Sequence, residues 1–96
     1  FRKMKVIVRD EKAGVYYGKI ESRDGVHFVM KDTRWLWFID GSATLAELAM
    51  YGTSQPMMCK FSCVVDRMEL FNVVQVLETT AEARKSIESV PVWLTR

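Results

Sequence analysis

Strand-forming runs separated by tight turns fill the first forty residues, and this pattern limits the fold more than any other feature. Arg23-Asp24-Gly25 is the clearest turn, because Asp-Gly tolerates the positive φ angles of a tight hairpin. A second turn is predicted at Lys31-Asp32-Thr33. Four strands with such short connections form an antiparallel meander. The predicted strands cover residues 3–9, 15–21, 26–30 and 34–39.

The hydrophobic period changes after residue 40, where helix-forming residues begin. Thr44 and Glu47 stand at the spacing of a capping box, in which each side chain satisfies an amide at the helix start. Thr79 and Glu82 repeat this spacing. Two short helices are therefore predicted, over residues 44–51 and 79–88.

Residues 68–77 fit two structures. Leu70, Val73 and Leu77 stand at helical spacing, whereas the β-branched density and the alternation from Phe71 to Val73 favour a strand. We prefer a strand over residues 70–77. Further strands are predicted over residues 61–65 and 92–94.

Two helices beside a largely antiparallel sheet define an α+β domain. A bent meander of five or six short strands closes most easily as a small SH3-like or Sm-like barrel, which is the predicted architecture. At 96 residues, the chain is predicted to be a single domain over residues 1–96, since domains run to roughly 100–200 residues.

Composition narrows the class of protein. Apolar residues make up 49% and charged residues 27%, as in ordinary globular proteins. A net charge of +2 is too small to predict specific DNA or RNA binding. No apolar run approaches the ~20 residues of a membrane span, so no membrane partner is expected. Cys59 and Cys63 are too close for a useful disulfide, which fits a reducing cytoplasm.

The sequence offers few parts for catalysis. His27 is the one histidine, and no Ser-His-Asp or Cys-His pairing can be built around it. It cannot complete a zinc site with the two cysteines. Glycine-rich phosphate loops and paired carboxylates are missing from the sequence as well. We therefore expect no enzyme activity, no metal and no cofactor.

The strand-to-helix segment over residues 34–44 carries the candidate ligand site. Trp35 and Trp37 share one strand face and can stack on a purine ring, a contact worth about 1–3 kcal/mol per base. The helix start supplies amides and hydroxyls for an anion, and nearby basic side chains add positive charge. The alternative is that the indoles are core and the cap is only a cap. The candidate residues are Arg34, Trp35, Trp37, Gly41, Ser42, Thr44 and Lys60.

One set of segments carries a further signal: residues 34–37, 40–49, 52, 56, 59–61, 83, 86–87 and 90–93. Together these segments resemble a family of small uncharacterised bacteriophage and prophage proteins. Family members tend to carry alanine at Ser42, serine at Thr44 and glutamine at Glu47. The resemblance brings no established activity. It implies a phage-borne accessory protein in the cytoplasm of an infected bacterium.

Two binding hypotheses follow from the resemblance and the candidate site. In the first, a homo-oligomer antagonises host defence by sequestering a nucleotide-derived immune signal, with its base on Trp35 or Trp37 and its phosphates at the helix start. In the second, the protein is an inhibitor or assembly factor that docks on a host or phage protein through methionine and aromatic side chains. An enzyme remains an option only if a partner subunit completes the site. Predicted edge strands and abundant apolar residues also indicate self-association.

Overall fold

Residues 4–95 are described by a computed structural model, and they form a six-stranded sheet with two α-helices. The predicted α+β class is confirmed. The first predicted strand begins at residue 3, which lies outside the described residues. The strands are β1 Val6–Asp10, β2 Gly14–Asp24, β3 His27–Phe38, β4 Lys60–Phe61, β5 Val65–Leu70 and β6 Val73–Glu78; the helices are α1 Leu45–Tyr51, the 3-10 turn Pro56–Met58 and α2 Ala81–Glu88.

The strands pair antiparallel in the order β4-β3-β2-β1-β6, with β5 also beside β3. β5 and β6 therefore lie at opposite edges, and the pairings found over residues 4–95 leave the sheet open. Phe71 and Asn72 alone link these two edge strands, so the sheet must curve until its edges approach at that end. Closure into an SH3-like or Sm-like barrel is not confirmed.

The β2–β3 hairpin contains the predicted Asp-Gly turn. Gly25 has a φ of 61°, the left-handed conformation that glycine adopts without strain. The predicted turn at Lys31-Asp32-Thr33 is wrong, because β3 continues through it. At this point one residue of β2, Gly18, faces two residues of β3, Asp32 and Thr33, and Asp32 takes a φ of 51°. The polar triplet is thus a bulge that bends the strand.

Residues 70–77 are strand rather than helix, as preferred, but a turn at Phe71–Asn72 divides them between β5 and β6. The Asn72 amide donates to the Asp10 carboxylate at 2.9 Å, which fixes this turn. The strand predicted over residues 61–65 is interrupted: Phe61 ends β4, residues 62–64 are not strand, and Val65 begins β5. The strand predicted over residues 92–94 is one parallel bridge, from Val92 to Phe61.

Both helices begin at threonine caps. Thr44 accepts the Glu47 amide at 3.1 Å, as the capping-box spacing predicts. The second helix is capped by Thr80, one residue after the predicted Thr79. The Thr79 hydroxyl instead donates to the Lys5 carbonyl at 2.6 Å. Each helix is therefore short and well defined, and α1 packs against α2.

β1 is buried on both faces, and its alternate residues enter different cores. In β1, Ile7 joins the core beneath the helices, whereas Val6 and Val8 join the core on the opposite face. The helix-side core contains Ile7, Tyr17, Leu36, Leu48, Ala49, Cys59, Phe61, Ile87 and Val90. The second core contains Val6, Val8, Phe28, Met30, Leu70 and Val73.

Candidate functional site

The end of β3 presents its side chains alternately to the interior and to solvent. Leu36 lies in the helix-side core, and Arg34 is 5% exposed beneath the same helices. Trp35 and Trp37 point to the opposite side and are 37% and 48% exposed. Neighbouring residues of this strand therefore have opposite surroundings.

Three indole rings and one lysine form an exposed cluster, which we call the indole–lysine patch (Trp35, Trp37, Lys60 and Trp93). Trp37 stacks on Trp93 with centroids 4.7 Å apart and planes 12° apart. Trp35 meets Trp37 edge-on at 6.3 Å. The Lys60 Nζ atom lies 5.6 Å from the Trp37 centroid and 5.3 Å from the Trp93 centroid. Both distances are within the range of cation–π attraction.

Long-range strand pairing brings these residues together. β4 pairs with the end of β3 and places Lys60 opposite Phe38, on the Trp37 side. The last residues return beside β4, where the Trp93 amide donates to the Phe61 carbonyl at 3.0 Å. The patch is thus held by backbone hydrogen bonds among three segments.

Apolar side chains continue the surface beyond the indoles. A groove of about 300 Å³ runs beside Lys60 and Trp93. Met57 and Met58, from the 3-10 turn, are 76% and 56% exposed along it. The groove is lined by Met57, Met58, Cys59, Lys60, Pro91, Val92 and Trp93.

Arg34, predicted to supply positive charge to a ligand, lies in the interior. Its Nε donates to the Ser62 carbonyl at 2.9 Å and its Nη1 to the Ile87 carbonyl at 3.2 Å. Its Nη2 reaches the carbonyls of Phe61 and Pro91 at 3.5 and 3.4 Å. Burial lowers the pKa of the guanidinium below its usual value. Arg34 therefore links separate chain segments through hydrogen bonds. It lies beneath the patch and not within it.

At the predicted anion site, the start of α1, two of the backbone amides and both hydroxyls are bonded within the chain. The Gly41 amide donates to the Asp40 carboxylate at 2.7 Å. The Ser42 hydroxyl donates to the Gly52 carbonyl at 2.7 Å. The Thr44 hydroxyl accepts from the helix, and the Ala43 amide donates to the Glu47 carboxylate. These groups cap the helix and close its loop.

A cavity of about 350 Å³ adjoins this cap on the helix side of the sheet. None of the tryptophans lines it. The structure brings together Trp35, Trp37 and Lys60, and it sets Gly41, Ser42 and Thr44 on the other side of β3. The cavity is lined by Arg9, Val15, Ile39, Ser42, Ala43, Thr44 and Leu45.

Trp93 belongs to the patch but was not among the residues predicted from the sequence. The sequence gives only a weak signal that Trp93 is a site residue, because one tryptophan after Val90-Pro91 fits a packed terminal strand equally well. The parallel bridge from Val92 to Phe61 brings it to Trp37. Pairings between such distant segments leave no local pattern.

The fold and the patch define a small α+β domain with an exposed aromatic surface. Residues 3–87 match the family model described as a domain of unknown function (DUF6948). The chain therefore belongs to the DUF6948 family. Neither the curated proteins nor the solved structures compared with the chain gave a match. The matched residues include Trp35, Trp37 and Lys60, whereas Trp93 lies beyond them.

Two further features bear on the choice of function. Over residues 4–95, no three His, Cys, Asp or Glu side chains are grouped so that they could hold a metal ion. In the same part of the chain, neither helix is long and apolar enough to span a membrane.

Proposed function

We propose that the domain is a non-enzymatic binding module whose indole–lysine patch docks on another protein, as an inhibitor or an assembly factor does. One observation carries this proposal: Trp37 and Trp93 stack in an exposed position, with methionines alongside. Tryptophans dominate the binding energy of many protein interfaces. Methionine side chains adapt to the shape of a partner.

The rigidity of the patch supports a role in recognition. Trp37 contacts both Trp35 and Trp93, so the rotamers of these rings are restricted before any partner arrives. Ordering a free side chain at an interface costs about 0.5–1.5 kcal/mol. A preassembled patch avoids much of this loss. Lys60, between two indoles, favours a partner that brings a carboxylate to the centre of an apolar contact.

The test compares partners captured by matched variants. The protein should be immobilised as the wild type, as the Trp37→Ala/Trp93→Ala double variant, and as Tyr51→Ala. Tyr51 is 64% exposed on α1 and supplies a control aromatic outside the patch. We expect a protein that binds the wild type and Tyr51→Ala but not the double variant. Calorimetry on the purified pair should then show affinity at least about tenfold weaker for the double variant.

Equal binding of that protein to all three forms would overturn the proposal. Circular dichroism of the double variant separates lost binding from lost folding. A partner weakened by Tyr51→Ala alone would move the interface to α1.

A second candidate is sequestration of a nucleotide-derived immune signal. An exposed indole beside the Lys60 ammonium favours it, since the ring can stack on a base and the cation can meet a phosphate. This form of the hypothesis uses Trp35, Trp37 and Lys60. It leaves Gly41, Ser42 and Thr44 to the helix cap.

A panel of cyclic dinucleotides and ADP-ribose-like compounds tests this candidate by thermal unfolding. A ligand at a hundredfold excess over its Kd should add about 2.7 kcal/mol to the free energy of unfolding. Trp37→Ala and Lys60→Ala should abolish the shift, and Ser42→Ala should keep it. No shift at millimolar concentration would reject the candidate. Chemically intact ligand recovered after denaturation would separate sequestration from catalysis.

The proposed setting is that of a phage accessory protein that antagonises host defence in the bacterial cytoplasm. It rests on the sequence resemblance to phage and prophage proteins. Expression in bacteria with an active defence system should raise phage plating efficiency, and Trp37→Ala/Trp93→Ala should remove the effect. Unchanged plating across several defence systems would remove this setting and leave the binding proposal to its own test.

A further inference from the structure

β5 forms an edge of the sheet at the far end of β3 from the indole–lysine patch. It pairs with β3 along one side, and no pairing on its other side is found over residues 4–95. Its first five residues are exposed or half-buried, and Leu70 is buried. An edge of this kind offers backbone amides and carbonyls to another strand.

The side chains of β5 are sorted by face. Arg67 and Glu69 lie on the outer face, opposite Lys31 and Val29 of β3. Met68 packs against the second core on the inner face. The Glu69 carboxylate contacts Arg67 and His27, each at 3.0 Å, and the side chains of Arg67 and Glu69 remain 59% and 36% exposed. On the outer face, an added strand would therefore meet one cation and one anion, two residues apart; the exposed Asp66 belongs to the inner face.

This charge pattern is complementary to itself in one antiparallel register. A two-fold axis at Met68 places Arg67 opposite Glu69 of a second copy, and Glu69 opposite Arg67 of that copy. A shift of two residues in either direction opposes Arg67 to Arg67 or Glu69 to Glu69. A shift of one residue sets outer side chains against inner ones. Cross-strand opposite charges stabilise a sheet and like charges destabilise it, so the charges select the register.

The same register also covers exposed apolar side chains. It sets Val65 opposite Phe71 of the second copy at each end of the pairing. These residues are 36% and 62% exposed. The two Met68 side chains meet at the axis and extend the inner core across the edge. A two-fold interface of this kind closes after two copies.

β6 forms the opposite edge of the sheet, and part of its unpaired side is covered by another segment of the chain. The Val73 amide donates to the Val26 carbonyl at 3.0 Å, so the hairpin tip covers the start of this strand. Residues 73–76 and the hairpin enclose a cavity of about 350 Å³. β5 therefore presents the more open edge.

We propose that the protein forms a homodimer by antiparallel pairing of β5 with β5 of a second copy, centred on Met68. The proposal is independent of what binds the indole–lysine patch, which lies at the other end of β3. The sheet becomes continuous across both copies, and each copy keeps its patch exposed.

A charge-swap experiment tests the register. Arg67→Glu and Glu69→Arg each create two like-charge pairs at the axis, so each variant alone should dimerise at least about tenfold more weakly than the wild type in sedimentation velocity. Mixed in equal amounts, the two variants should form a heterodimer, since both cross-strand pairs between positions 67 and 69 are again opposite in charge. Glu21→Arg, the same charge change on exposed β2, should dimerise like the wild type.

A wild-type protein that stays monomeric at millimolar concentration would overturn the proposal. So would a dimer that both single variants leave unchanged, or a mixture that does not recover the dimer. Where a variant fails to fold, hydrogen exchange on the wild type decides. The amides of residues 65–69 should gain protection with increasing protein concentration, and unchanged protection rejects the β5 interface.

Discussion

Each side of the β3 end contains one basic side chain, but the two side chains have different roles. On the inner side, the Arg34 guanidinium is surrounded by backbone carbonyls from three later segments. On the outer side, the Lys60 ammonium rests against the exposed rings of Trp37 and Trp93. Each side therefore holds a cation among apolar groups.

The two cations differ in whether protein groups accept their hydrogen bonds. Arg34 donates to protein acceptors and has almost no access to water, so its charge serves the fold. Lys60 keeps its donors for solvent or for a partner. A cation beside aromatic rings therefore indicates binding only where its donors remain available.

The largest effect is expected on the buried side. Arg34→Met should lower the free energy of unfolding by about 3 kcal/mol, because several carbonyls lose their donor. Urea denaturation at neutral pH measures it. Lys19→Met, at an exposed position of β2, is the control and should change little. A loss below about 1 kcal/mol for Arg34→Met would mean that water replaces the guanidinium.

A second buried anchor should show a smaller, pH-dependent effect. Burial raises the pKa of Asp10, but amide donors including Ala13, Asn72 and Lys12 lower it by more, so the net pKa lies below 3.8. Its ionised form stabilises the fold fully above the unfolded pKa of about 3.9, and this stability is lost as pH falls through the lower folded value.

Asp10→Asn should therefore lower the free energy of unfolding by about 1–2 kcal/mol at pH 7 and by less at pH 3. Urea denaturation at the two pH values checks this. An equal loss at both would show that charge is not what the amides recognise.

On the outer side, Trp37→Ala should reduce stability by about 1 kcal/mol or less, because half of the ring is already in water. Thermal and urea unfolding measure the loss. A reduction above about 2 kcal/mol would make Trp37 a core residue and erase the contrast between the two sides.

The smallest effect is expected at Lys60. Lys60→Met keeps the apolar stem and removes the cation, so stability should change by less than about 0.5 kcal/mol. Binding of a partner through the patch should fall more than stability does. If unfolding responds more strongly than binding, the lysine belongs to the fold.

Local patterns predicted the parts of the fold that short-range chemistry controls. The Asp24-Gly25 turn depends on backbone freedom at Gly25, and the Thr44 cap depends on a hydroxyl three residues before an amide. Both could be read from the sequence. Alternation also placed Trp35 and Trp37 on one face of β3.

Long-range contacts account for what the sequence did not predict. The local sequence predicts that Arg34 is a surface charge. The carbonyls of Ile87 and Pro91 that accept its hydrogen bonds lie more than fifty residues away in the sequence. The exposed stack of Trp37 on Trp93 likewise forms only because the last residues return beside β4. The sequence around Asp32 predicts a turn where the structure has a bulge, because polar residues favour both.

The position of β3 between β2 and the pair β4 and β5 has a kinetic consequence. Its hairpin with β2 closes a loop of two residues, whereas its other side must wait for residues 60–70. We expect the hairpin to be ordered early in the transition state and β5 to join late. φ-values near the Asp24-Gly25 turn should therefore exceed those at Met68, and the reverse order in refolding measurements would refute this sequence of events.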